Sequence, residues 1–113
     1  NDKVSDFFNG LSIMRGQTTA EKFTDDGIAP LTNDEYNQIA YPYPKFIYAG
    51  AAGIFGTLRM ITFHAPDGKA FTVRQLAEAF AKAEAQNQQD HYCFFEGFVQ
   101  HCDPHTFWAM FGS

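Results

Sequence analysis

Between Thr72 and Ala85 the chain carries the start, the apolar stripe and the polar face of an amphipathic helix, so the remaining chain has to supply a cover for that stripe. Thr72 is a suitable N-cap, and Gln75 stands three residues on, as a capping box requires. Phe71 and Leu76 occupy the N′ and N4 positions of a hydrophobic staple. Val73, Leu76, Ala77, Phe80 and then Ala83 or Glu84 follow helical spacing, while Arg74, Glu78 and Lys82 fall on the solvent side.

The flanking sequence predicts what covers this helix. Thr57 to Ala65 reads as a strand, Pro66-Asp67-Gly68 as a hairpin turn, and Lys69 to Phe71 as a short return strand. After the helix, His91 to Val99 and Thr106 to Phe111 read as the arms of an aromatic hairpin, with Asp103-Pro104 in its turn. On the first arm Tyr92, Phe94, Glu96 and Phe98 share one face, and His91, Cys93, Phe95, Gly97 and Val99 the other.

Nearer the N-terminus, Val4, Phe7, Phe8, Leu11 and Met14 recur at helical intervals, which predicts a helix over 4–14. Thr18 to Glu21 resembles a capping box for a second helix ending at Gly27, and Thr32 with Glu35 predicts a third over Asn33 to Ala40. Tyr41-Pro42-Tyr43-Pro44 must be extended, because each proline pushes the preceding residue out of the helical region. Ala49 to Gly56 reads as a glycine-rich connector. It lacks the Lys-Ser or Lys-Thr and the following helix of a phosphate-binding loop.

These elements predict one α+β domain over 1–113, helical up to about residue 45, with sheet and central helix from about 46 to 113. The expected sheet is antiparallel, of about four strands in two hairpins, with the helices packed on one face. A chain of 113 residues removes roughly two thirds of its unfolded surface from water. With 45% hydrophobic residues and 13 Phe, it has the side chains for such a core.

The formal net charge of −5 argues against a nucleic-acid backbone as partner, since that affinity rests on clustered Lys and Arg. The longest uncharged run, Phe46 to Leu58, is too short to span a bilayer, which needs about 20 residues. Cys93 and Cys102 fall far apart along the predicted hairpin, so both thiols are expected free, which leans towards a reducing, cytoplasmic setting. A mature secreted chain beginning at Asn1 also fits.

His91, Cys93, His101, Cys102, Asp103 and His105 cluster in sequence, and imidazole and thiolate are the ligands zinc prefers. An extended strand separates the ends of that cluster, leaving His101, Cys102 and His105 as a weak local set. Three ligands fall short of the four of a closed structural zinc site, so no metal or other cofactor is expected. An enzyme or ligand-binding reading would line a pocket between sheet and helix with His64, Cys93 and Glu96. Cys93 would serve as nucleophile, and Glu96, set between Phe94 and Phe98, as a general acid. The reading that draws on most residues is a non-enzymatic interaction domain. It would meet a protein partner or an identical copy through Tyr92, Phe94, Phe98, Trp108 and Met110, because both faces of the last strand carry large apolar groups.

Overall fold

The computed structural model describes residues 4–52, 57–87, 92–101 and 103–112. Helix α1 (Asp6–Asn9) is capped by Ser5, whose side chain accepts the Phe8 N–H, and it stops at Gly10 instead of running to residue 14. Beyond Gly10 the next buried residues are Leu11, Ile13 and Arg15. Two residues apart, they share a face only in extended chain, so the period-2 pattern prevails and β1 (Ser12–Ile13) forms.

The helix expected after Thr18 is instead a hairpin, β2 (Ala20–Thr24) and β3 (Gly27–Pro30), with β2 also pairing β1. Its turn is built by Thr24, whose hydroxyl accepts the Asp26 N–H and donates to the Gly27 carbonyl, while Gly27 takes φ 116°. That left-handed conformation suits a hairpin turn and favours glycine.

Thr32 and Glu35 form the reciprocal bonds of a capping box at α2 (Asn33–Tyr36). This helix makes one turn rather than two, because the following chain enters β4 (Ile39–Tyr41). Then come β5 (Lys45–Ala52) and β6 (Thr57–His64), paired antiparallel from Lys45↔His64 to Ala52↔Thr57. Thus Ala49 to Ala52, read from sequence as connector, belong to a strand, and residues 53–56 lie outside the described ones. Gly50 suits this strand because a Cβ there would stand 2.7 Å from the Tyr48 ring.

The Pro66-Asp67-Gly68 turn forms, with Gly68 at φ 73° and the Asp67 carboxylate accepting the N–H groups of Lys69 and Ala70. These two bonds hold the Asp67 carboxyl below its usual range. The return strand β7 (Phe71–Thr72) pairs with β4, not with β6. Phe71 and Leu76 are both buried at the start of α3 (Val73–Ala83), where Thr72 and Gln75 complete the second capping box. Packing at the helix entry therefore draws β7 away from the hairpin assigned to it.

A 3-10 turn (Ala85–Asn87) follows α3, and β8 (Phe94–Gln100) and β9 (Thr106–Gly112) form the C-terminal hairpin. The four-stranded sheet has the order β6-β5-β9-β8. Its central pair, β5 and β9, is parallel, which corrects the wholly antiparallel expectation. The physical reason is α3, a helical crossover of the kind a parallel pair needs.

The fold is thus mixed α and β, with more strand than helix, in sheets of two to four strands. Phe46 lies at the centre of its aromatic core, 4.7 Å from Phe107, 5.0 Å from Phe98 and 5.1 Å from Tyr41 between ring centroids. Phe80 of α3 and Phe8 of α1 both pack on Phe95 and Phe98. Pairs of this kind add about 0.5–1.5 kcal/mol each beyond the area they bury. Among the described residues no helix is long and apolar enough to cross a membrane.

Candidate functional site

On the sheet face bearing Phe46, Tyr48, Phe63 and Phe107, the rings are buried beneath the helices. The alternate residues point the other way. Met60 is opposite Ala49, and Val99 is opposite Trp108. Continuing the register Ile47↔Thr106 and Tyr48↔Phe107 by one step sets Ala49 beside Trp108. Met60 and Ala49 on one hairpin, with Trp108 and Val99 on the other, therefore form an uncharged row across the four strands, in which Ala49 is itself buried. Met60 is 57% exposed and Met110, further along β9, 51%, while Trp108 and Val99 are each 42% exposed. Sheets facing water on one side ordinarily carry polar residues there, whereas Met60, Trp108, Met110 and Val99 are apolar outward positions of this face.

Two of the residues expected to act with Trp108 and Met110 lie elsewhere. Phe98 is core: it is 5% exposed and contacts Phe46, Phe80 and Phe95. The reason is a bulge, since the β8–β9 register breaks between Phe95 and Phe98 and Gly97 takes φ 116°. A bulge reverses the pleat, so Phe94 and Glu96 point outward before it and Val99 after it, while Phe95 and Phe98 both point inward. The Asn9 side-chain carbonyl accepts the Phe98 N–H at 2.9 Å and secures this geometry. A lone glycine inside an aromatic strand was the sequence signal for it. Phe94 instead lines a hollow of about 480 Å³ with Phe23 and Ile28 of the β2–β3 hairpin. Tyr92 is exposed just before β8, and Trp108 and Met110 keep the expected outward position.

His64, Cys93 and Glu96 are not brought together. His64 ends β6 at one edge of the sheet, and Glu96 lies on β8 at the opposite edge with Cys93 just before that strand. Three strand spacings separate the edges, roughly 14 Å. Cys93 is a half-buried free thiol whose carbonyl accepts the Arg15 N–H.

Of the three candidate metal ligands, Cys102 and with it any local set lies outside the described residues. The His101 ring stacks on Trp108, 4.3 Å between centroids, and the His105 Nδ1 is 2.7 Å from the Tyr41 hydroxyl. Burial, with the nearby charges of Tyr43 and Asp103, pushes the Tyr41 phenol up to about 12. Asp103 accepts the His105 N–H and the Thr106 hydroxyl, which pulls its carboxyl below the usual range. Among the described residues no three His, Cys, Asp or Glu side chains are grouped to hold a metal.

One polar network is new relative to the sequence reading. The Arg15 guanidinium pairs with the buried Glu84 carboxylate through Nε, and its Nη1 donates to the Tyr92 carbonyl. Tyr48 donates to the other Glu84 oxygen at 3.0 Å, and Arg15 stacks 3.9 Å above Phe111. Burial and the Glu84 charge push the Tyr48 phenol up. Glu84 is 1% exposed, so this cluster offers no access to a substrate and acts as a clamp between the N-terminal segment, the end of α3 and the sheet. Its trace in the sequence is an acid one turn after Phe80, on the apolar stripe of α3.

No protein-family model matches the chain, and neither a curated protein nor a solved structure matches it.

Proposed function

We propose that this protein is a small non-enzymatic interaction domain that docks a protein surface on the outer face of its four-stranded sheet, with a second copy of the chain as the simplest partner. The carrying observation is the uncharged row Met60, Ala49, Trp108 and Val99, extended by Met110. In this reading the β5–β6 and β8–β9 hairpins act as one platform whose other face is held by α1 and α3. Two copies of a chain with net charge −5 can meet along this uncharged row without opposing acids directly. Four strands spaced about 4.8 Å apart and about 26 Å long present a footprint of roughly 500 Å². That is less than the ≈ 800 Å² per partner of a standard interface, so the association is weak and reversible. The alternative, a small enzyme or ligand-binding domain, loses support because its His64, Cys93 and Glu96 stand at opposite sheet edges.

Sedimentation velocity from micromolar to millimolar concentration tests the proposal. A dimer should form with rising concentration, and Trp108→Ala should weaken it by about 2 kcal/mol or more, roughly thirtyfold, with little change in the unfolding midpoint. A sharp fall in the midpoint with association unchanged would place Trp108 in the core and remove the best residue of the surface.

A further inference from the structure

The last strand on one side of the sheet, β6, has no neighbour on its outer side among the described residues. The phase of its backbone follows from one bond: the Ala65 N–H donates to the Pro44 carbonyl. In an antiparallel ladder alternate residues bond inward, so with Ala65 bonding towards β5, the N–H and C=O groups of Leu58, Met60, Thr62 and His64 point away from it. The Ile47 N–H, opposite Thr62, agrees with this phase by bonding to His105 on the far side of β5. Four outward backbone pairs thus line about 20 Å of free edge.

Beside this edge runs a groove of about 510 Å³ between β6 and the second half of α3. Its apolar lining comes from Ile61, Phe63, Ala79 and Ala83. Its charged lining is Arg59 and Lys82, with no Asp or Glu among the described lining residues. The ion pairs seen among the described residues, Arg15 with Glu84 and Lys22 with Glu35, use neither of them. In a chain with 13 acids against 8 Lys and Arg, a groove whose described charges are all cationic runs against the overall balance.

We infer that β6 and this groove form a second binding site, which takes an extended acidic segment of a partner protein as an added strand. Main-chain bonds to the four outward pairs supply affinity, and alternate side chains enter the groove, apolar ones over Ile61 and Phe63 and carboxylates towards Arg59 and Lys82. The same cations select the occupant. A second copy pairing β6 to β6 would bring Arg59 and Lys82 of both chains onto one edge without acids to offset them, the repulsion by which charged edges resist self-pairing. The site adjoins the outer face proposed above at Met60, and a variant exists for each: Trp108→Ala strikes the face, Thr62→Pro the edge.

Two blocked peptides as long as β6, one repeating Glu-Thr-Val-Thr so that Glu and Val share a face (the Glu-Val peptide) and the other with Lys in place of Glu (the Lys-Val peptide), are titrated at low salt while amide hydrogen exchange is followed by NMR. The Glu-Val peptide should slow exchange at Leu58, Met60, Thr62 and His64, and bind at least about tenfold more tightly than the Lys-Val peptide, a difference that shrinks as salt rises. Arg59→Glu combined with Lys82→Glu should reverse the preference. Thr62→Pro, which removes one outward N–H on an edge strand, should abolish both interactions while the remaining spectrum is retained. Absence of protection at millimolar peptide overturns the proposal, as does a preference unmoved by charge reversal. Protection at these four amides that rises with protein concentration alone in the Trp108→Ala variant, whose outer face is weakened, would also overturn it, since the occupant of the edge would then be a second copy.

Discussion

Along β8 the outward backbone of the sheet is met by residues from the other end of the chain. The Arg15 N–H reaches the Cys93 carbonyl at 2.6 Å, the Asn9 side chain takes the Phe98 N–H, and Met14 forms a bridge with Phe94. Along β6 the equivalent groups face an open groove bordered by Arg59 and Lys82. Both edges need protection from unwanted strand pairing, and the molecule uses different means: a covering segment pinned by a buried ion pair on one side, charge on the other. Covering consumes the edge as a binding resource, whereas charge leaves it usable by a partner of the opposite sign.

The largest expected effect comes from releasing the covered edge. Glu84→Ala takes the carboxylate from the buried Arg15 and removes an acceptor from Tyr48, so denaturant unfolding should report a loss of about 3–5 kcal/mol. A stability change below about 1 kcal/mol would mean that backbone hydrogen bonds and packing hold the N-terminal segment to β8 without help from the ion pair.

Gly97→Ala tests the bulge on the same strand. A Cβ there would meet Asn9 only at ordinary contact distance, so the cost lies in the backbone, at φ 116°, and should be about 1–3 kcal/mol. An unchanged unfolding midpoint would show that β8 can change register and would take Phe98 out of the core.

A smaller effect is expected from the β4–β9 contact. The Tyr41 phenol is raised from an ordinary value near 10 to about 12 because burial favours its neutral form. The stabilisation from this shift is complete below pH 10 and is lost as the pH rises through 12. Tyr41→Phe should flatten the decline in that window, measured by unfolding against pH. The smallest change is expected at the open edge, where Thr62→Pro should cost stability within about 1 kcal/mol despite removing a backbone donor. A loss as large as that of Glu84→Ala would show that the edge of β6 is already paired.

What could be read from the sequence was what depends on neighbours a few residues apart. Both capping boxes, the Asp67 turn and the β8–β9 hairpin formed where Thr32, Thr72 and Gly68 placed them. Thr18 to Glu21 carried a similar local pattern, yet extended pairing with β1 and β3 prevailed, because the partners of β2 lie outside the window in which a cap is recognised. Strand β5 escaped notice because Ala49, Gly50 and Ala51 show no alternation, although Gly50 leaves room for the Tyr48 ring. Within the candidate surface, Trp108 and Met110 were legible from simple alternation, and Phe98 was not, because Gly97 shifts the count by one. Arg15 and Glu84 meet from opposite parts of the chain, and no local pattern announces such a pair.

The position of β9 also sets a timetable for folding. This strand, the last in sequence order, occupies the interior of the sheet, and its parallel contact joins residues 47 and 106, about half the chain apart. Until that loop closes, the β5–β6 hairpin has no partner beside β5 and Phe46 lacks the ring of Phe107. Non-local closure of this kind slows folding, and it leaves an aromatic hairpin exposed meanwhile. During synthesis, the middle of the sheet can be filled only after β9 has left the ribosome.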